Sequence, residues 1–131
     1  LEDEHEWNPS DYAIHLTRRP RGLPFWYSLA SNGTQSYADA VEDTMDTTRI
    51  AVRLIKENPN LELLMEPTLS IVAFTRKGWN AEDYQEWSDN LLADQIGFVT
   101  PSSHKGKPIL RFAIVNPWTF EKDLQAILAT L

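Results

Sequence analysis

KPILRFAIVNPW, residues 107–118, is the stretch that decides how this chain folds. It alternates as a strand does: Leu110, Phe112 and Ile114 point to one face, and Ile109, Arg111, Ala113 and Val115 to the other. Asn116-Pro117 stops the strand, and Thr119 is placed to cap a helix. In that helix Phe120, Leu124, Ile127, Leu128 and Leu131 recur at helical spacing. Arg111 is a permanent cation among apolar neighbours. Either it snorkels from a half-exposed sheet face, or a cleft holds it to meet an anion. The strand by itself leaves both open.

Working outward, Ser102–Gly106 reads as a polar loop and Phe98–Thr100 as a short strand. Before them, Trp79 and Asn80 open a helix: Asn80 caps, Asp83 answers it three residues on, and Trp79 staples to Tyr84. Trp87, Leu91, Leu92 and Ile96 form its buried face, and Gly97 ends it. Leu61–Glu66 and Ser70–Lys77 are two strands around Pro67. A long helix from Thr34 or Ser36 to about Glu57 carries Tyr37, Val41, Met45, Thr48, Val52 and Ile55 as one apolar stripe. Its charged faces are solvated surface, and Asn58-Pro59 ends it. A shorter helix begins at Pro24 and stops at Gly33, with Phe25, Trp26 and Leu29 as a compact buried anchor. Residues 1–12 are acidic, with a turn at Asn8-Pro9, and read as linker. Residues 13–17 are a short strand or an extended approach. His15 there has no second His or carboxylate at ligand spacing and reads as a packing residue, not a metal ligand. The order is helix, helix, strand, strand, helix, strand, strand, helix. That predicts an α+β fold: a small, mostly antiparallel sheet with helices packed on one face.

Composition narrows the function classes. A chain of 131 residues suits one ordinary domain, and 42 % hydrophobic content with five tryptophans excludes a disordered tail. No apolar run reaches the ~20 residues of a membrane span, and no signal peptide is visible. The absence of cysteine removes disulfides, thiolate metal sites and a cysteine nucleophile, and fits a reducing cytosol. A net charge of −7 argues against a nucleic-acid surface, and Arg18, Arg19 and Arg21 are too short a cluster to overturn that. The first residue is Leu and the opening is loop-like, so we expect part of a longer chain. The glycines form no GxGxxG or GxxxxGK pattern, no serine sits in a nucleophile elbow, and no helix carries HExxH. By pattern alone this is a soluble α+β domain with no self-contained active site.

TRRPRGLPFWYSLASNGT at 17–34, ENPNLELLMEPTLSIVAF at 57–74 and ILRFAIVNPWTFEKDLQAIL at 109–128 add something. In this order they resemble the carboxy-terminal part of the group II pyridoxal-phosphate-dependent amino-acid decarboxylases, the family of aromatic-amino-acid, glutamate and diaminobutyrate decarboxylases. The resemblance covers roughly residues 11–131. Its most specific pieces are the Arg-Arg-x-Arg segment before a Trp-bearing helix and the Leu-Arg-Phe strand running into Asn116-Pro117.

It implies the small domain of an aspartate-aminotransferase-type (fold type I) enzyme. Residues 1–22 would be an acidic linker leading in from a missing large domain, and 23–131 the carboxy-terminal small domain. It further implies a cytoplasmic homodimer that releases CO2 from an L-amino acid, with pyridoxal 5′-phosphate bound by the missing domain. This part would contribute a lid and be inactive alone. The family's Schiff-base lysine stands in a His-Lys pair upstream of the Arg-Arg segment, where this chain has none. His104-Lys105 has the letters but the wrong place. Residues 1–10 would be the exit of the family's mobile catalytic loop, and Pro20 and Pro24 replace residues commonly bulky or basic there. Arg111 matches the family arginine that lies near the substrate, so the resemblance gives it the α-carboxylate. No other binding, metal or catalytic residue is assigned. The alternative is a stand-alone α+β module that binds a small ligand or a partner, with Arg111 as a surface residue.

Overall fold

The computed structural model describes Tyr12, Ile14 and residues 19–131. Apart from Tyr12 and Ile14, the linker read over residues 1–12 and the 13–17 segment lie outside the described residues, as do His15 and Arg18. The chain divides into two compact units, Leu1–Gln35 and Ser36–Leu131.

Helix α1 is assigned over Gly22–Glu57, but Gly33 inside it is not helical (φ 75°, ψ 157°). That backbone region is open to glycine and strained for other residues, so two helical pieces meet there, as the sequence predicts. In the first unit the helical piece does not form the expected compact anchor. Phe25 and Trp26 are 65 % and 58 % exposed and only Leu29 is half-buried. Consecutive residues on a helix are ~100° apart, so Phe25 and Trp26 cannot share one narrow face. Trp26 meets Tyr27 edge-on at 5.1 Å instead.

The second unit holds the rest of α1, then β1 (Leu61–Leu63), β2 (Ile71–Arg76), α2 (Ala81–Ala93), β3 (Ser102–His104), β4 (Lys107–Ala113) and α3 (Glu121–Leu128). The sheet order is β1-β2-β4-β3, with every pair antiparallel. Val72 pairs with Phe112 and Phe74 with Leu110, so alternate residues of both strands fall on one side. Those four, with Leu61 and Ile114, join Ala51 and Ile55 of α1, Tyr84, Trp87 and Leu91 of α2, and Leu124 and Leu128 of α3 in one core. All three helices therefore cover the same face. Phe74 and Phe112 lie with ring centroids 4.9 Å apart inside it. Ile109, on the opposite face, is buried outside that cluster.

Local chemistry sets the ends. Asn80 Oδ1 accepts from the Glu82 and Asp83 amides at 2.7 and 3.2 Å, and Asp83 returns a bond to the Asn80 amide at 2.7 Å. This capping box is the one the sequence announces, and losing its Asn side chain costs about 1 kcal/mol. Trp79 packs against Tyr84 with centroids 5.5 Å apart. At the far end the structure corrects the sequence. Gln95, not Gly97, takes the positive φ (57°) that ends α2. Gly97 matters instead for packing: a Cβ there would come within 2.9 Å of Ile127 Cδ1, so the Ile127 side chain would have to shift.

Three further expectations change. The strand falls at Ser102–His104 and not at Phe98–Thr100, because Lys105 and Gly106 both adopt positive φ (50° and 77°) and close a tight hairpin into β4. The stripe of α1 drifts: Thr44, Thr47, Thr48, Ala51 and Ile55 are buried, Met45 and Val52 half-buried, and Tyr37 and Val41 exposed. Thr119 does not cap α3. Phe120 occupies that position, and its amide donates to Asp123 Oδ2 at 2.9 Å.

Candidate functional site

Strand β4 places Arg111 on the face away from the helices, opposite Ala73 of β2. Its neighbours along that face are Ile109 and Ala113, as the alternation requires. Arg111 is exposed and lines a cleft of about 380 Å³. The cleft lies where the Phe98–Thr100 segment leaves β4 uncovered, since β3 pairs only with residues 107–109. Its remaining walls come from Thr119 at the end of the Asn116-Pro117 turn and from Leu124 and Ile127 of α3.

Two hydrogen bonds fix those walls. Ser88 Oγ on α2 donates to the Val99 carbonyl at 2.7 Å. Thr47 Oγ1 on α1 donates to the Thr119 carbonyl at 3.1 Å. The absence of a side chain at Gly97 lets Ile127 reach the same wall. Thr47, Ser88, Phe98 and Thr119 are residues that sequence reasoning missed. Ser and Thr on a helix rarely announce a distant carbonyl partner, so no sequence signal marks Thr47 or Ser88, while Phe98 and Thr119 are read in the sequence only as a strand residue and a cap.

The arginines of this unit differ in what they meet. Arg49 pairs with Glu42 and Asp46, and Arg53 pairs with Glu121 at 2.8 Å and Glu57 at 3.6 Å. Hydrogen bonds to Glu42, and next to Asp46, hold the Arg49 pKa above its ordinary value, and the bond to Glu121 does the same for Arg53. Arg76 donates to the Leu131 carbonyl at 3.1 Å and lies 4.9 Å from the Trp79 ring centre. Arg111 has no ion pair or hydrogen-bonded side-chain partner among the described residues. The cleft beside it is lined by no carboxylate, histidine or lysine. The arrangement can bind an anion through a planar, bidentate donor; it offers no general acid or base.

The described residues do not fit a covalently held aldehyde cofactor. All five lysines are exposed, and Lys56 is engaged with Glu66 and Lys77 with the Pro59 carbonyl. His104 is half-buried in β3, and Lys105 is exposed in the hairpin turn. Among the described residues no three His, Cys, Asp or Glu side chains group to hold a metal, and no helix is long and apolar enough to cross a membrane.

No family model matches the chain. Over 113 residues it is 25 % identical to histidine decarboxylase of Mus musculus, covering 86 % of this chain and 17 % of that protein. Over 123 residues it is 28 % identical to tyrosine decarboxylase 2 of Arabidopsis thaliana, covering 89 % of this chain and 23 % of that protein. The chain thus spans less than a quarter of the length of these relatives. Among solved structures, the glutamate decarboxylase domain of diaminobutyrate-pyruvate transaminase and L-2,4-diaminobutyrate decarboxylase from Vibrio parahaemolyticus matches with a TM-score of 0.75 at 26 % identity. That match covers 89 % of this chain and 26 % of that one. Oryza sativa TDC with PLP and tryptamine matches with a TM-score of 0.78 over 94 % of this chain and 29 % of that one; at 19 % identity this likeness speaks for the fold alone. In sequence and in fold, the chain is a relative of part of the group II pyridoxal-phosphate-dependent amino-acid decarboxylases.

Proposed function

We propose that this chain is the carboxy-terminal small domain of a longer pyridoxal-phosphate-dependent amino-acid decarboxylase, a carboxy-lyase that releases CO2 from an L-amino acid. Residues 1–22 lead in from the large domain and 23–131 form the small domain. The whole enzyme is a cytoplasmic homodimer, as the family resemblance implies. Its cofactor is held by the part outside this chain, which accords with the exposed lysines here. On this reading the chain acts as a lid and is inactive by itself.

Arg111 carries the reading within the chain. It is a guanidinium on a rigid strand, beside an apolar cleft, with no carboxylate of this unit to neutralise it. Its fork meets both oxygens of a carboxylate at once, which orients the substrate as well as binding it. The test uses the full-length enzyme. Arg111→Ala is expected to lower kcat/KM by roughly 30- to 1000-fold, equivalent to about 2–4 kcal/mol. Arg111→Lys keeps the charge but loses the fork, and falls between Ala and the parent. Thermal stability changes little in either variant, because the side chain has no partner in the fold to lose. Normal kcat/KM in Arg111→Ala ends the carboxylate-anchor role and favours a surface arginine.

A further inference from the structure

We propose that Asn32-Gly33, at the break in α1, is a site where the chain modifies itself. The Asn32 side chain closes on the Gly33 nitrogen, loses ammonia, and opens in water to aspartate or isoaspartate. This chemistry is independent of the decarboxylase reading, since it needs only the sequence and local backbone of the segment. The step balances with water as the only co-reactant. The Gly33 amide nitrogen gives its proton to base and attacks Asn32 Cγ, so an N–Cγ bond forms. The Cγ–Nδ2 bond breaks, and Nδ2 departs as ammonia with a proton from solvent. Water then opens the cyclic imide. Opening at Cγ gives aspartate; opening at the main-chain carbonyl gives isoaspartate, in which the main chain runs through Cγ. Nothing is oxidised or reduced.

A regular helix opposes this attack, because its dihedrals hold each amide nitrogen in the ladder and away from the preceding side chain. At Gly33 those dihedrals end: φ 75° and ψ 157° lie outside the helical region. Both residues are exposed, and a Cβ built at Gly33 would meet no side chain beyond its two chain neighbours within 4 Å. Glycine itself has no Cβ to block the approach and swings most freely. Asn32 Nδ2 donates to the Ser28 carbonyl at 2.9 Å. An exposed bond of this kind trades against water, so it slows the closure without preventing it. The other described asparagines each lack an element. Asn58 and Asn116 precede prolines, whose nitrogens carry no proton to lose. The bulkier Leu61 and Leu91 follow Asn60 and Asn90, and Asn90 lies inside α2. Asn80 is held by its cap bonds to Glu82 and Asp83. The product places a carboxylate at the end of the helical piece 22–32, where the helix dipole is already negative. Isoaspartate also lengthens the main chain there.

The purified full-length protein is incubated at neutral and at mildly alkaline pH and sampled over time. Trypsin releases the peptide 22–49, in which Asn32 is the only asparagine. Mass spectrometry follows the loss of its amide, and fragmentation places the change and separates isoaspartate from aspartate. We expect residue 32 to convert at least about ten-fold faster than Asn60 or Asn90, with isoaspartate among the products and a rate that rises with pH. Asn58 and Asn116 serve as blanks in the same molecule. Asn32→Gln, an exposed replacement that leaves the fold alone, should keep the peptide unchanged over the same period. Conversion of residue 32 no faster than of Asn60 and Asn90 overturns the proposal. Conversion to aspartate alone, or at a rate indifferent to pH, overturns it too, because water would then have hydrolysed the amide directly. A peptide of Asn32→Gln that converts as fast as the parent's puts the chemistry at another residue, and likewise overturns it.

Discussion

Ile55 and Val52 sit three residues apart on α1, and the structure separates their contributions. Ile55 is fully buried in the core, while Val52 packs against its edge and lines a shallow recess with Met45, Arg49 and Glu66. Ile55→Ala removes three buried carbons, about 2.4 kcal/mol at ~0.8 kcal/mol each. The cavity left behind raises the cost to about 3–4 kcal/mol, within the range for such truncations. Val52→Ala removes two carbons that are half in water already, so about 0.8 kcal/mol is expected. In urea, with a slope of about 2 kcal/mol per molar, the midpoint of Ile55→Ala falls by about 1.5–2 M and that of Val52→Ala by about 0.4 M. Tryptophan fluorescence follows the transition, since Trp87 is buried and Trp79 packs on it with ring centres 6.4 Å apart. A Val52→Ala loss equal to or larger than that of Ile55→Ala would refute the assignment of the inner face of α1.

Gly97→Ala brings a methyl within 2.9 Å of Ile127 Cδ1 and is expected to cost about 1 kcal/mol or more. Adding Ile127→Val removes that atom, and the double variant should melt closer to the parent than additivity allows. Incubating the isolated chain with pyridoxal phosphate and then borohydride should give no stoichiometric label at a single lysine; one specifically modified lysine would contradict the assignment of the cofactor to another part. The Arg53–Glu121 pair carries the sign of a raised arginine pKa. Its stabilisation is complete below the unfolded value and lost only as pH rises through the higher folded value. Between about pH 6 and 9 the effect of Glu121→Gln on the melting temperature should therefore be constant, and added salt should shrink it.

Much of the second unit is legible because each of its signals is local. The capping box at Asn80 and the strand alternation around Phe112 lie within a few residues of the letters that announce them, as does the break at Gly33 in the first unit. What fails depends on distant partners. Phe98–Thr100 has the composition of a strand, yet the hairpin turn at Lys105-Gly106 sets which residues can face β4. The stripe of α1 continues on paper through Tyr37 and Val41, where no core residue of the sheet remains to cover them. Phe120 takes the cap position because Asp123 can answer its amide, and a phenylalanine does not advertise that role. Arg111 was visible as an odd residue, but no sequence shows whether a carboxylate will come within reach of it. The hydrogen bond from Thr47 to the Thr119 carbonyl is equally invisible, since the two residues are far apart in the chain.

The sheet order has a kinetic consequence. The two hairpins, β1 with β2 and β3 with β4, are closed by short connections and can form within microseconds. The central β2–β4 pairing cannot, because all of α2 intervenes, and its closure entropy must be met before Phe74 and Phe112 reward it. On the ribosome, β2 emerges well ahead of its central neighbour, with Val72 and Phe74 still uncovered on that side. The chain stays incomplete until β4 has left the exit tunnel. Slow synthesis over α2 would therefore prolong an aggregation-prone edge, and that interval is when a chaperone has most to protect.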